Sequence, residues 1–490
     1  MINDGKCSKN FVVYSHLVIS NVHMMKNKAT ILLLGFFLLS CFNSLEAKTI
    51  KIACVGNSIT QGAAIKNMQR DSYPAVLGQM LGEAYEVRNY GYSGRTLLMS
   101  GDRPWMKETK FQEALAFCPD IVTIKLGTND TKPFNWVYQD EFPKDLETLV
   151  RAFQALPSNP QVIICYPVPA YRLDWGINDS IIFNGVIPYI DQVAAKTGAK
   201  ILDLYTPFSG KPELFADMIH PNEAGAYQLA EIFYKYLTGN DVPADFKPSP
   251  YPGVKMQWKG YDMYKFPFKE REARIVVPKE AAPGNPWIWR PAFFGAFAQV
   301  DEALLAKGYH VVYLDCTHDF AKPQALKDGD ALYKYLTKYH SFAKKMAIEG
   351  FSRGGMYAIN WAANYPHKTA CVYVDAPVCD VFSWPGKDGA YATEWQQFLD
   401  AWGLNNETAS SFNQQAINYV DTLIAKNIPL ILVAGKKDKI VPYKENALLL
   451  KKKYEASNVD FEAIIKKRCD HHPHSLDDPT PIVEFIMKHQ

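Results

Sequence analysis

At 490 residues the chain is longer than one hydrophobic core normally covers, so two domains are expected. Its 48% apolar and 21% charged residues exclude a disordered or collagenous chain. A formal charge of +2 leaves no broad basic field and argues against nucleic acid as a partner.

The chain opens with a short basic run, Met25-Lys26-Asn27-Lys28, followed by an apolar segment over 31–39. That segment is too short to span a membrane and has the size of a signal-peptide core. Two exits follow: cleavage between Ala47 and Lys48, or the lipobox-like Leu38-Leu39-Ser40-Cys41, in which Cys41 carries a lipid anchor. Residues 1–24 precede the better start at Met25, so 1–47 reads as an N-terminal extension plus signal peptide. The expected location is periplasmic or secreted, with no membrane span. The nine cysteines show neither metal-like CxxC pairing nor a dense disulfide framework; one or two disulfides stay open, with no readable pairing.

Over 48–240, apolar strand-like runs at 49–55, 85–88, 121–126, 161–166 and 199–204 alternate with helical patterns at 143–156, 187–196 and 224–237. Such alternation predicts a parallel sheet covered on both faces. The polar signals gather after strand ends, where open α/β sheets bind ligands. Ser58 follows the first strand, Gly94 and Arg95 the second, and Gly127-Thr-Asn129-Asp130 the third; Asp217-Met-Ile-His220-Pro221 comes near the end. Singly each has a plain explanation. Ser58 would cap a helix, Gly94 would satisfy a left-handed turn, Gly-Thr-Asn-Asp is turn chemistry, and a lone histidine is usually structural.

Together they meet the needs of acyl transfer: a nucleophile, a base, an orienting carboxylate and oxyanion donors. Ser58, His220 and Asp217 fill the first three roles; the Gly94 N–H and the Asn129 side chain supply the donors. The three-residue offset lets one short turn hold Asp217 against the far nitrogen of His220, and Pro221 stops that turn from continuing as helix.

These four blocks, in this order, resemble the SGNH/GDSL hydrolase superfamily over nearly all of residues 50–240. The resemblance implies a flavodoxin-like three-layer fold and esterase activity, often deacetylation of carbohydrates. One block departs: the usual Gly-Asp-Ser is Gly56-Asn57-Ser58 here. Since that aspartate is no triad member, the change is expected to alter loop hydrogen bonding rather than abolish chemistry. Trp105, Trp136 and Trp175, with Arg95, Arg103 and Arg172, fall in loops expected on the catalytic face. Rings beside hydrogen-bonding groups suit a sugar better than a lipid chain, or else pack the loops down.

A stiff linker is read over 241–254, where Pro243, Pro248, Pro250 and Pro252 follow one another. Strand-like runs return at 273–278, 287–290, 310–315, 346–350, 370–374, 429–434 and 460–465, interleaved with helical patterns at 301–307, 327–339, 356–365 and 444–454. Gly350-Phe-Ser352-Arg-Gly354 sits between a strand and a helix, the context a nucleophile elbow requires. The acid and the base should follow in that order. Asp438 follows the strand at 429–434, with Asp375 as competitor; His471 is the favoured base and His474 its rival. The cluster His471-His472-Pro473-His474 can also bind metal adventitiously. The Arg353 N–H and a backbone N–H within Trp289-Arg290-Pro291 are the expected oxyanion donors, and Arg290 is the alternative anchor for an anionic substrate group. Lid material is expected over 378–414, with Trp384, Trp395 and Trp402.

Residues 255–490 resemble the α/β-hydrolase superfamily, near its esterase and prolyl-oligopeptidase-like branches. They depart from it where Arg468-Cys469-Asp470 approaches the histidine and where Trp-Arg-Pro replaces the common His-Gly oxyanion loop. The expected fold class is therefore α/β, a flavodoxin-like three-layer domain followed by an α/β-hydrolase domain. The expected function is an exported serine esterase that removes O-acyl groups, in first place O-acetyl, from complex carbohydrate. The second domain is expected to act on another ester, such as a hydroxycinnamoyl or methyl ester. The rivals are a peptidase in the second domain, or one domain kept as an inactive binding module. No phosphate loop or metal-ligand constellation is evident, so no cofactor is expected.

Overall fold

The computed structural model describes residues 48–172, 174–387 and 390–490; the leader and the lipobox at Cys41 lie outside the described residues. The chain divides into two compact units between Pro248 and Ser249. No helix among the described residues is long and apolar enough to cross a membrane, and Cys54, Cys165, Cys316, Cys371, Cys379 and Cys469 are free thiols.

The first unit holds five parallel strands, β1 (Ile50–Gly56), β2 (Tyr85–Gly91), β3 (Ile121–Lys125), β4 (Gln161–Cys165) and β5 (Lys200–Leu202), in the order β2-β1-β3-β4-β5. Strand β1 shows why the sheet needs a layer on each side. Ile52 and Cys54 enter one apolar cluster with Leu77, Leu229 and Phe233, while Ala53 and Val55 enter another with Leu149, Val150 and Phe153. Successive side chains point to opposite faces of a strand. The helices Tyr73–Leu81 and Glu223–Thr238 therefore cover one face, and Phe142–Gln154 and Ile187–Thr197 the other. Because β1 lies between β2 and β3, the loops leaving these three strands are neighbours at the sheet's carboxyl edge.

Helix Tyr73–Leu81 is absent from the sequence reading. Its internal breakers hide it: Pro74 sits in the first turn, where proline is tolerated, and Gly78 lets the helix approach Val87 of β2. Helix Thr109–Ala116 is missed for another reason, since Ala114 is its one buried residue and no apolar stripe marks it.

The second unit carries a nine-stranded sheet. Strands β6 (Val254–Trp258), β7 (Tyr261–Phe268) and β8 (Arg271–Val277) form an antiparallel meander, and β8 pairs antiparallel with β10 (His310–Leu314). The remaining pairs, joining β9 (Trp287–Arg290), β10, β11 (Met346–Phe351), β12 (Thr369–Asp375), β13 (Leu430–Gly435) and β14 (Phe461–Lys466), are parallel. The order is β14-β13-β12-β11-β9-β10-β8-β7-β6. Strands β11, β12 and β13 are buried throughout and read as apolar runs in the sequence. Strands β6 and β7 are not so legible: at the sheet's edge they expose Lys255, Gln257 and Lys265, and Pro267 interrupts β7. The strand series therefore begins at Val254, well before the first run expected at 273.

Candidate active sites

In the first unit the helix-cap role falls to Asn57. Its side-chain oxygen accepts the Ile59 N–H at 3.1 Å, opening the short helix Ser58–Gln61. Ser58 is thereby released from capping, and its Oγ lies 2.9 Å from His220 Nε2. Asn57 thus caps the turn through its side-chain oxygen, and Ser58 stays within reach of His220.

Asp217 and His220 share one turn. Asp217 Oδ1 accepts the backbone N–H groups of Ile219 (3.1 Å) and His220 (2.6 Å), and Oδ2 stands 2.7 Å from His220 Nδ1. Ala216 N–H bonds back to the His220 carbonyl, and Asn222 then caps helix Glu223–Thr238 through the Gly225 N–H. Burial alone would raise the Asp217 carboxyl, but these hydrogen bonds and the adjacent imidazole hold it below its ordinary value. With Nδ1–H donated to Asp217, Nε2 becomes the acceptor for the serine hydroxyl.

The expected oxyanion loops are braced against each other. Gly94 has φ +78°, a conformation that glycine adopts freely, and Ser93 N–H beside it donates to Gln61 Oε1 at 2.8 Å. Asn129 Nδ2 spends one hydrogen on the Arg95 carbonyl at 3.1 Å, and an amide nitrogen carries a second. Asp130, which in the sequence has only the character of turn chemistry, ties the two loops together. Its Oδ1 accepts the N–H groups of Leu97 (2.9 Å) and Leu98 (2.8 Å). Burial pushes its carboxyl up to about 6, against those hydrogen bonds.

The aromatic and basic residues expected on this face separate. Trp105 is fully buried and donates its ring N–H to the Tyr90 carbonyl, and Trp136 packs on the same core cluster, so both hold loops down. Apolar area favours burial wherever a loop has a core to lie on. Trp175 is 61% exposed, and its ring centre lies 5.6 Å from that of His220. Arg95 is paired to Glu108 and lies over the Tyr92 ring, whereas Arg103 is exposed, with its guanidinium next to Gly94. Arg172 is exposed on the loop after β4.

In the second unit β11 ends in a sharp turn. Ser352 has φ +52° and ψ −121°, a strained conformation for a residue with a side chain, and helix Arg353–Asn364 starts directly after it. A Cβ on Gly350 would lie 2.3 Å from the Gly354 carbonyl oxygen, and one on Gly355 would lie 2.5 Å from Pro377, so the turn closes only around glycine. Ser352 Oγ is 3.1 Å from His471 Nε2, and His471 Nδ1 is 2.7 Å from Asp438 Oδ2. Asp438 Oδ1 accepts the Ile440 and Val441 N–H groups at 3.0 and 2.8 Å. The two rivals pair with each other instead: His474 Nδ1 lies 2.9 Å from Asp375 Oδ1, and Asp375 Oδ2 takes the Ser475 N–H.

One expectation about the loop after β9 is corrected. Arg290 is buried in an ion network with Asp301 and Glu349 and donates to the carbonyls of Ala292, Phe293 and Ala296, so no anionic group can reach it. Burial raises the Glu349 carboxyl, and the neighbouring Asp301 adds to this against the pull of Arg290. Of the expected donor segment Trp289-Arg290-Pro291, Pro291 has no N–H to offer, and just beyond it Ala292 approaches Gly354.

The Arg353 side chain lies against Trp384 of the expected lid and against two residues without a sequence signal, His318 and Gln397. It contacts His318 Nδ1 and Gln397 Oε1, both at 3.2 Å, and its guanidinium stands over Trp384. Gln397 belongs to helix Ala392–Trp402, inside the expected lid segment, where Trp384 and Trp395 are buried and Trp402 bonds the Phe320 carbonyl.

Comparison with known proteins agrees with this division. The sequence model of the GDSL-like Lipase/Acylhydrolase family matches residues 54–227, and that of the prolyl oligopeptidase family matches residues 311–487. The N-terminal part is 42% identical over 201 residues to an acetylxylan esterase of Xylanibacter ruminicola, covering 37% of this chain and 42% of that esterase. Among solved structures, dipeptidyl peptidase 4 of Porphyromonas gingivalis is similar at 17% identity and TM-score 0.39, covering 48% of this chain and 36% of that one. Est1E of Butyrivibrio proteoclasticus is similar at 20% identity and TM-score 0.35, covering 48% and 97%. The chain thus spans less than half the length of the curated relative. It joins a GDSL-like lipase/acylhydrolase domain to a C-terminal α/β-hydrolase domain of the prolyl oligopeptidase type.

Proposed function

We propose that the chain is an exported serine esterase with two centres, the first of which removes O-acetyl groups from a plant-type polysaccharide such as acetylated xylan. The observation that carries this reading is the Ser58–His220–Asp217 chain of contacts at 2.9 and 2.7 Å, within a region 42% identical to an acetylxylan esterase. Ser58 attacks the ester carbonyl as His220 Nε2 takes its proton, and Asp217 steadies the imidazolium that forms. The Gly94 N–H and the Asn129 amide receive the oxyanion. His220 then returns the proton to the departing sugar hydroxyl, and water, activated by the same histidine, releases acetate.

In the C-terminal unit Ser352, His471 and Asp438 take the corresponding roles, with the Arg353 N–H as one oxyanion donor. The substrate proposed there is a different ester, of hydroxycinnamoyl or methyl type. The family match over 311–487 favours a second reading, a peptidase. Comparing Ser58→Ala, Ser352→Ala and the double variant tests both. Acetate release from acetylated xylan should fall by about three orders of magnitude or more in Ser58→Ala and stay unchanged in Ser352→Ala. Feruloyl- or methyl-ester cleavage should show the reverse. Cleavage of peptides, and not of esters, lost in Ser352→Ala would select the peptidase. Unchanged activity in the double variant would remove both assignments.

A further inference from the structure

The C-terminal triad shares its base with a group that the proposed hydrolysis does not use. His471, His472 and His474 face one another with ring centres 4.9, 4.8 and 4.8 Å apart, each ring steeply inclined to the other two at 72–80°. One donor nitrogen from each lies within 4.8 Å of the others.

Two of the three rings are already prepared as ligands. His471 and His474 each turn Nδ1 to a buried carboxylate, Asp438 at 2.7 Å and Asp375 at 2.9 Å. A metal-ligating histidine characteristically gives its other ring nitrogen to a carboxylate, which fixes the tautomer and raises the basicity of the free nitrogen. Neutral imidazole nitrogens suit zinc and its first-row neighbours. Two buried carboxylates behind the rings also offset the charge of a divalent ion. His472 is exposed and makes no hydrogen bond among the described residues; its ring stacks on Phe297 with centres 5.7 Å apart, so only that stacking opposes a rotation. Zinc–nitrogen bonds of about 2.0–2.1 Å require that rotation, since the donors must draw closer than they now stand. Among the described residues no such cluster includes His220.

We propose that His471, His472 and His474 form an inhibitory site for a divalent transition metal, zinc in first place, which takes the His471 Nε2 lone pair from Ser352 and silences the C-terminal centre alone. The proposal rests on Ser352–His471–Asp438 being an active centre only for its inhibitory half; the binding half stands on the histidines themselves. Coordination releases no proton, because Nε2 already carries a free pair, and Ser352 is left with no base.

The test uses untagged full-length chain. Zinc chloride is titrated into the Ser58→Ala variant by calorimetry, in parallel with hydrolysis of a chromogenic aryl ester. One zinc should bind per chain as hydrolysis falls, and EDTA should restore it. His472→Ala should keep its basal hydrolysis yet need at least about tenfold more zinc for binding and for inhibition alike. The same shift between Ser352→Ala and Ser352→Ala/His472→Ala reads the metal site even if the centre cleaves no ester. An unchanged zinc affinity on removing His472 would overturn the site, and zinc that binds through His472 without slowing hydrolysis would overturn the inhibition.

Discussion

In the N-terminal unit the acid and base sit three residues apart on one turn, and the Asp217 side chain is 35% exposed. In the C-terminal unit Asp438 and His471 are 33 residues apart, come from the loops after β13 and β14, and are 2% and 4% exposed. The proposed nucleophiles differ in the same sense. Ser58 opens a short helix that Asn57 caps, whereas Ser352 sits in a strained backbone conformation held by glycine packing. One contact geometry is thus reached by a local turn in one case and by sheet register in the other. A local turn can reform around a lost contact with help from water. A buried site assembled by register is closed to that help.

The aspartates should bring out this difference most strongly. Asp438→Asn reverses the hydrogen-bond polarity at His471 Nδ1 in a buried place, so the wrong tautomer should prevail, with a loss of about 10⁴-fold in kcat. Asp217→Asn should cost less, because solvent can reach that side of His220. The comparison is made by measuring kcat for acetate release in the Ser352→Ala background and for ester cleavage in the Ser58→Ala background. Equal losses would mean that exposure of the acid does not matter.

The same contrast governs what the sequence reveals. Asp217-x-x-His220 can be read as a unit because its contacts close within one turn. Choosing His471 over His474 could not be done that way, since the partners Asp438 and Asp375 follow different strands and only the order of β12, β13 and β14 decides which reaches Ser352. The buried parallel strands announced themselves as apolar runs, while the edge strands β6 and β7 alternate with exposed lysines and stayed hidden. Trp105 and Trp175 follow similar loops, and nothing local distinguishes the buried ring from the exposed one. Arg290 looks like a free cation in the sequence because its partners, Asp301 and Glu349, lie 11 and 59 residues on, on a helix and a strand that only the fold brings to it.

A buried acid marks each unit, and its pH behaviour should differ by unit as well. Glu349 has Arg290 beside it, whereas Asp130 relies on backbone N–H groups. The Asp130 carboxyl stands near 6 when folded, against an ordinary 3.8. Between these values the folded chain holds a proton that the unfolded chain has released. Stability should therefore fall as the pH rises from about 4 to 6 and stay lower above 6, by an amount on the order of 2–3 kcal/mol. Asp130→Asn cannot titrate and keeps an oxygen for Leu97 and Leu98. Denaturant unfolding of the N-terminal transition should then lose this slope. A slope that survives the substitution would place the titrating group elsewhere.

The smallest effect concerns Trp175. Its exposed ring lies beside His220 on the N-terminal face, whereas Trp384 and Trp395 of the C-terminal unit are buried and pack the lid segment. If Trp175 is a platform for a sugar ring, removing it takes away contact with the glycan and leaves the triad intact. Trp175→Ala should raise KM for acetylated xylan by roughly fivefold, equivalent to about 1 kcal/mol of lost contact, with kcat little changed. A small aryl acetate makes no use of the platform, so its kcat/KM should hold. The alternative is that the ring positions His220, in which case kcat falls for both substrates and KM for neither. The split between KM on the polymer and kcat on the small ester therefore decides whether the open side of the N-terminal centre exists to hold substrate or to steady the base.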